Sequence, residues 1–106
     1  MAYIYRVSFD IRPDQMSELE IGASLERVLG YLRTTLPNQP GYVTSRAMRS
    51  VEIVDHINVV FSTVWETWRD LQSHRASRLA EDKVLGEFGP HIRPDQLGAD
   101  IFEEIA

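Results

Sequence analysis

Large side chains alternate with smaller or polar ones at the start of the chain. From Tyr3 to Ile11 a large residue stands at every second position, which is the period-2 pattern of a half-buried strand. Pro13 and Asp14 break this pattern, and Ser17-x-x-Glu20 then supplies a possible capping box. The pattern predicts a strand over Tyr3–Ile11. It also predicts a helix of about five turns ending near Thr35, with apolar residues at helical spacing: Leu25, Val28, Leu29, Leu32 and Leu36.

Two further strands follow a turn at Leu36–Gly41, where two prolines and a glycine cannot continue a helix. The second strand, Tyr42–Ser50, should alternate, with Tyr42 and Thr44 on one side and Val43 and Ser45 on the other. The third strand, His56–Trp65, has apolar groups on both faces, which indicates that something covers each side of the sheet. The chain's own helices would cover one side, and a partner subunit could cover the other.

A second helical region begins at Thr67-x-x-Asp70, another candidate capping box, and runs to Gly89-Pro90 with a break near Ser77. A last strand is predicted over Gln96–Ile105. The element order predicts an α+β, ferredoxin-like βαββαβ fold, with a four-stranded antiparallel sheet and both helices on one face. The connection from Pro90 to Gly98 is long enough to be an unusual loop or an arm.

Composition narrows the function classes. The 106 residues form one domain, residues 1–106, with a net charge of −5 and scattered basic residues, which argues against nucleic-acid binding. Since the chain has no cysteine, disulfides, thiolate metal sites and thiol nucleophiles are excluded. No apolar run is long enough to cross a bilayer, and the N-terminus does not resemble a signal peptide. We therefore expect no membrane partner and a cytoplasmic location.

Three residue patterns occur in a characteristic order. Pro40-Gly41-Tyr42 precedes the second strand, Trp65-Glu66 ends the third, and His74 follows on the next helix. Together they resemble the antibiotic biosynthesis monooxygenase (ABM) domain family. The resemblance implies a dimeric α/β barrel, in which two ferredoxin-like subunits pack sheet against sheet and each has a pocket between its sheet and its helices. A dimer of this kind would supply the second cover of the third strand.

The family resemblance implies several activities. Members include cofactor-independent oxygenases of polycyclic phenols and quinols and haem-degrading enzymes, and related barrels include isomerases and stress-responsive proteins. The haem-degrading members use an asparagine, a tryptophan and an axial histidine. In this chain those three positions fall at Val7, His74 and Val84, and valine cannot ligate iron. The anthrone-oxygenating members use an asparagine upstream of the conserved tryptophan, where this chain has Phe61, while Asn58 lies farther back.

Trp65 and His74 are the candidate catalytic residues, and two roles are possible for each. Trp65 is either a core aromatic or a stacking platform for a flat ligand. His74 lies three residues after Leu71 and should face the sheet, either as a structural imidazole or as a group that orients the substrate or handles a proton. The three histidines lie in different elements without His-x-x-x-His spacing, so no metal site is expected.

Further side chains are predicted to bind the substrate: Tyr5, Asn58, Phe61, Thr63 and Tyr42. Arginines such as Arg46 and Arg49 are expected mainly as surface or interface groups. The resemblance thus favours a cofactor-independent monooxygenase that takes a small aromatic or quinol-type substrate, needs no cofactor and forms a homodimer. A non-catalytic small-molecule-binding or stress-related barrel protein and a lactone or keto-enol isomerase remain alternatives.

Overall fold

The computed structural model describes residues 2–12, 14, 16–52 and 55–105 of the chain. Short 3₁₀ turns occur at Leu36–Asn38 and Pro94–Gln96. The helices and strands are β1 (Tyr3–Ile11), α1 (Glu18–Thr35), β2 (Tyr42–Arg49), β3 (Ile57–Trp65), α2 (Trp68–Ser77), α3 (Leu79–Phe88) and β4 (Gly98–Glu103). The predicted order and most boundaries are confirmed. The last strand is shorter than predicted because the Gln96 amide bonds the Arg93 carbonyl inside a 3₁₀ turn.

The four strands form one antiparallel sheet in the order β2-β3-β1-β4. Tyr5 on β1 lies opposite Thr63 on β3 and opposite Ile101 on β4. Since β1 and β3 are the central strands, their side chains form the middle of each face. This topology confirms the ferredoxin-like α+β fold, with the second helical region divided into α2 and α3.

One face of the sheet is the core. Val7 and Phe9 on β1 and Val59 and Phe61 on β3 are almost fully buried, together with Val28, Leu71 and Phe88 from the three helices. On the opposite face Ile4, Arg6, Val60 and Val64 are only partly buried, and Phe102 is 44% exposed. Part of this open face is apolar, so it differs from the solvated face usual for an antiparallel sheet.

Both long helical regions start at the predicted caps. Ser17 and Glu20 form the complete capping box at α1. At α2, the Thr67 hydroxyl accepts a hydrogen bond from the Asp70 amide and donates one to the Asp70 carboxylate, so only the first half of the predicted box forms. The predicted break falls at Arg78, which has φ = 56° and separates α2 from α3.

The alternation predicted for β2 is wrong at its first residue. A β-bulge between Tyr42 and Thr44 lets Tyr42 pair with Trp65 while Thr44 pairs with Val64. Because a bulge inserts an extra residue into one strand, Tyr42 turns to the core face and no longer shares a side with Thr44. Its ring meets the Trp65 ring edge-to-face at 5.8 Å between centroids.

The connection from Pro90 to Gly98 is anchored on the chain's own core. Ile92 is 4% exposed, and its amide bonds the Phe88 carbonyl at the end of α3.

Within the described part of the chain, no helix is long and apolar enough to cross a membrane.

Gly41 joins the turn before β2 to the start of α2. It has φ = 78°, its carbonyl accepts a hydrogen bond from the Glu66 amide at 2.9 Å, and a Cβ added here would overlap the Asp70 carboxylate. Asp70 is part of the α2 cap. The glycine of the Pro-Gly pair is therefore required by backbone conformation and by close packing.

We predict that Gly41→Ala lowers the free energy of unfolding by at least about 2 kcal/mol, because left-handed backbone strain adds to the overlap with Asp70. The matched control is Gly22→Ala inside α1, where an added Cβ meets nothing within 4 Å. That change should stabilise the protein by about 0.5–1 kcal/mol. Urea unfolding of both variants checks this, and a Gly41→Ala variant as stable as the parent contradicts it.

Candidate active site

A stacked pair of rings lies between the sheet and α2. Trp65, the last residue of β3, and His74, on the inner side of α2, have ring centroids 4.5 Å apart and planes inclined by 24°. Trp65 is 0% exposed and His74 is 2% exposed. His74 therefore faces the sheet, as its distance from Leu71 predicts, and the stack joins α2 to the end of β3.

Hydrogen bonds hold both rings in place. Trp65 Nε1 donates to Thr63 Oγ1 at 2.9 Å, and Thr63 Oγ1 donates to the Tyr5 carbonyl at 3.3 Å. His74 Nδ1 donates to Gln39 Oε1 at 2.9 Å, because an amide oxygen can only accept. Gln39 belongs to the turn that ends in Pro40-Gly41. The residues that suggest the family resemblance are thus one packed unit.

The imidazole of His74 is neutral at physiological pH. Burial lowers the pKa of His74 from 6.5 to about 4, since the charged form is penalised away from water. No imidazolium is available near pH 7 to donate a proton. His74 is therefore suited to orienting neighbouring groups.

Tyr5 connects this stack to the protein surface. Its ring meets His74 edge-to-face, with centroids 5.7 Å apart, and its hydroxyl donates to Glu81 Oε1 on α3 at 2.7 Å. Burial, and then the hydrogen bond and charge of Glu81, raise the pKa of Tyr5 to about 12. The phenol therefore keeps its proton at neutral pH and acts as a donor.

An open cleft lies beside Tyr5, where α2, α3 and the start of β4 meet. Its volume is about 530 Å³, within the usual range for small-molecule sites. Arg75 and Arg78 line it from α2 and the break, Glu81 from α3, and Ala99 from β4. The cleft is thus bounded by two cations, one carboxylate and one phenol.

A second hollow of about 300 Å³ lies between α1 and the β2–β3 edge. Phe61 and Thr63 line it, together with Leu29 and Ser45. Thr63 also accepts a hydrogen bond from the Trp65 indole, which connects this hollow to the ring stack. Phe61 stacks on Phe9 inside the core.

The structure brings together most of the predicted site residues. Tyr5, Thr63, Tyr42, Trp65 and His74 form one contact network, whereas only Tyr5 among them lines the cleft. Phe61 lies two residues before Thr63 on β3, on the same face of the sheet.

Asn58 is not brought to this network. It lies on the open face near the other end of β3, where its amide donates to Asp10 Oδ1 at 2.8 Å. Of the two arginines expected at an interface, Arg46 is exposed on β2, and Arg49 pairs with Glu18 at 3.3 Å. No group of three His, Asp or Glu residues that could hold a metal ion occurs in the described ranges.

Sequence reasoning missed Glu81 and Gln39. Glu81 is 7% exposed and stands with Val84 and Phe88 at helical spacing on the buried side of α3. A carboxylate at a position of the apolar stripe is a signal that could have identified it, because buried glutamates require a partner. Gln39 has no comparable signal, since a polar residue in a turn is ordinary.

The pKa of His74 predicts a pH-dependent stability. Between pH 6.5 and pH 4 the unfolded chain binds this proton and the folded chain does not, so the free energy of unfolding falls as the pH falls. From pH 7 to pH 5 we expect a loss of about 1–2 kcal/mol, allowing for residual solvent contact.

His74→Phe should remove this share of the pH dependence, while His56→Gln at an exposed site should keep it. Urea unfolding at the two pH values measures the difference. Equal pH dependence in the parent and in His74→Phe would disprove the assignment.

The fold is shared with several known oxygenases. No family model matches the chain, and no curated protein matches it in sequence. A monooxygenase from the gene ActVA-Orf6 of Streptomyces coelicolor, solved in complex with the ligand nanaomycin D, superposes with a TM-score of 0.68 at 13% identity, covering 99% of this chain and 88% of that one. SnoaB, a cofactor-independent oxygenase from Streptomyces nogalater, gives 0.62 at 12% identity, with 100% and 96% covered.

A protein from Nitrosomonas europaea, provisionally assigned as an antibiotic biosynthesis monooxygenase, gives a TM-score of 0.62 at 13% identity, with 98% and 90% covered. At such identities the likeness establishes the fold, and function has to be argued from the site. The chain therefore has the fold of the antibiotic biosynthesis monooxygenases.

Proposed function

We propose that this protein is a cofactor-independent monooxygenase that binds a small aromatic or quinol-type substrate in the cleft beside Tyr5. The observation that carries the proposal is the position of Tyr5, which lines the cleft, meets the His74 ring of the stack, and donates its hydroxyl to Glu81 in the cleft lining. The shared fold of named oxygenases supports the reaction class. The same site offers hydrogen-bond donors and cations for a developing oxyanion.

The proposed reaction uses the substrate as its own reductant. Loss of a proton makes an electron-rich carbanion or phenolate, whose carbon forms a bond to dioxygen. The resulting peroxide takes up a proton and loses water, so a CH₂ group and one O₂ become a ketone and one H₂O. The protein has to bind the substrate, stabilise the anion and move protons, and no redox cofactor is needed for this balance.

The residues of the stack would take supporting roles in this reaction. Trp65 and His74 form the aromatic wall behind Tyr5 and fix the position of its ring. Because the imidazole is neutral and its Nδ1 is bonded to Gln39, we assign His74 to orientation rather than to acid catalysis. The single O–H proton of Tyr5 is donated to Glu81, so Tyr5 would relay a proton from the substrate hydroxyl to Glu81, or would turn its O–H from Glu81 to the substrate oxygen.

A non-catalytic small-molecule-binding protein is the second candidate, and one observation favours it. The indole nitrogen of Trp65 and Nδ1 of His74 already have partners inside the protein, and both rings are buried. In that case the cleft binds a ligand without turnover. A keto-enol or lactone isomerase would also use the cleft, and it would convert its substrate without oxygen.

We also propose that the open face of the sheet is covered by a second copy of the chain, as in a dimeric α/β barrel. Ile4, Val60 and Val64 form an apolar centre on this face, and Phe102 lies beside Ile4 on β4. Arg6 lies over the Phe102 ring at 4.7 Å, and its Nε is buried without a hydrogen-bond partner among the described residues. A second sheet packed on this face would remove its apolar centre from water.

The oxygenase proposal predicts oxygen uptake with at least one member of a panel of quinols and anthrones, measured with an oxygen electrode. Tyr5→Phe should lower kcat/KM by about 10²-fold, the lower end of what a positioned proton donor contributes. Tyr31→Phe is the matched control, since the Tyr31 hydroxyl is on the exposed side of α1. No uptake by the parent at high enzyme concentration contradicts the proposal, and a ligand-dependent rise in Tm without turnover then favours the binding protein.

The dimer proposal predicts twice the monomer mass in light scattering. Val64→Asp should give a monomer, because a carboxylate would be buried without a partner in the middle of the interface. Leu19→Asp, on the exposed surface of α1, is the control and should remain dimeric. A monomeric parent protein would disprove the barrel assembly.

A further inference from the structure

Two arginines make the cleft beside Tyr5 locally cationic, although the chain as a whole has a net charge of −5. Arg75 forms no ion pair with any carboxylate of the described residues, and Arg78 pairs only with the exposed Asp82, at 3.5 Å. Such an exposed pair is weak, so a ligand can replace Asp82 at little cost. Among the residues that line the cleft, two guanidinium groups face the one carboxylate of Glu81, so one positive charge is left for an anionic ligand once it replaces Asp82.

The break between α2 and α3 brings these groups together. Arg78 has left-handed backbone geometry, with φ = 56°, which is uncommon for a residue other than glycine. The break sets the direction of α3 and thereby places Glu81 toward Tyr5, 76 positions earlier in the chain. An irregular backbone that places charged groups at a cleft is typical of functional sites.

Glu81 has an unused acceptor at the cleft. Its side chain is only 7% exposed, and Tyr5 bonds Oε1. No hydrogen bond from a described residue reaches Oε2, while Glu81 contributes to the cleft lining. Because Oε2 is not fully buried, water reaches it from the cleft, and a ligand hydroxyl that donates a hydrogen bond can replace that water.

We infer that this cleft selects an aromatic hydroxy acid. Such a ligand is a flat ring that carries a carboxylate and a phenolic hydroxyl on carbons that are not adjacent. Arg75 and Arg78 bind the carboxylate, and the ligand hydroxyl donates a hydrogen bond to Glu81 Oε2. The hydroxyl then lies beside Tyr5, where the proposed oxygenation would start. That such a ligand is a substrate rests on the proposed function, whereas its binding to the cleft requires no turnover.

Three compounds separate the two contacts: 4-hydroxy-2-naphthoate, 1-naphthol, which lacks the carboxylate, and 2-naphthoate, which lacks the hydroxyl. In the first compound the two groups are not on adjacent carbons, so the hydroxyl cannot bond its own carboxylate. By calorimetry at pH 7 we expect the parent protein to bind the hydroxy acid at least about tenfold more tightly than either of the others, since hydrogen bonds to charged groups contribute about 1.5–3 kcal/mol.

Variants then assign the contacts. Arg75→Gln/Arg78→Gln should remove the preference for the hydroxy acid over 1-naphthol, while Arg33→Gln/Arg69→Gln, at exposed positions outside the cleft, should keep it. Glu81→Gln, which retains an acceptor for Tyr5, should remove only the preference over 2-naphthoate. Thermal unfolding confirms that each variant is folded.

Equal affinities of the parent protein for all three compounds would overturn the inference, and so would preferences that survive in the cleft variants. These outcomes are independent of oxygen uptake. A selective cleft without turnover contradicts only the oxygenase proposal, and turnover with no selectivity contradicts only the assignment of substrate class.

Discussion

The contact between Trp65 and His74 holds the candidate site together. It attaches α2 to the end of β3, and the bond from His74 to Gln39 attaches both to the turn before β2. Tyr42 and Tyr5 pack on the edges of the stack, so the ring orientation of Tyr5 depends on it. Burial of an imidazole is tolerable here because the ring is neutral, stacked and hydrogen-bonded. The position of the cleft wall therefore follows from a core contact.

This arrangement separates structural from chemical roles. Trp65 and His74, two of the residues that suggest the family resemblance, lie in the core behind the site, whereas Tyr5, Arg75, Arg78 and Glu81 line the cleft. A rigid inner layer with polar groups on its outer side is how preorganised sites are built.

Most of the fold could be predicted from the sequence because its signals are local. Period-2 alternation in β1 and β3, the Ser17–Glu20 box and the Pro-Gly turn each act within a few residues. The β-bulge that turns Tyr42 inward left no such signal, since it depends on pairing with β3. The same holds for the site. Trp65 and His74 could be found from their elements, whereas the bond between Tyr5 and Glu81 joins distant positions and depends on the packing of α3.

We propose that the protein binds its ligand in the cleft beside Tyr5 and not in the hollow between α1 and β2. The decisive experiment is a crystal structure of the protein soaked with 4-hydroxy-2-naphthoate. We expect ligand density between Tyr5, Arg75 and Glu81, with the ring beside the Tyr5 side chain. Density in the hollow lined by Phe61 and Thr63, with an empty cleft, would contradict it.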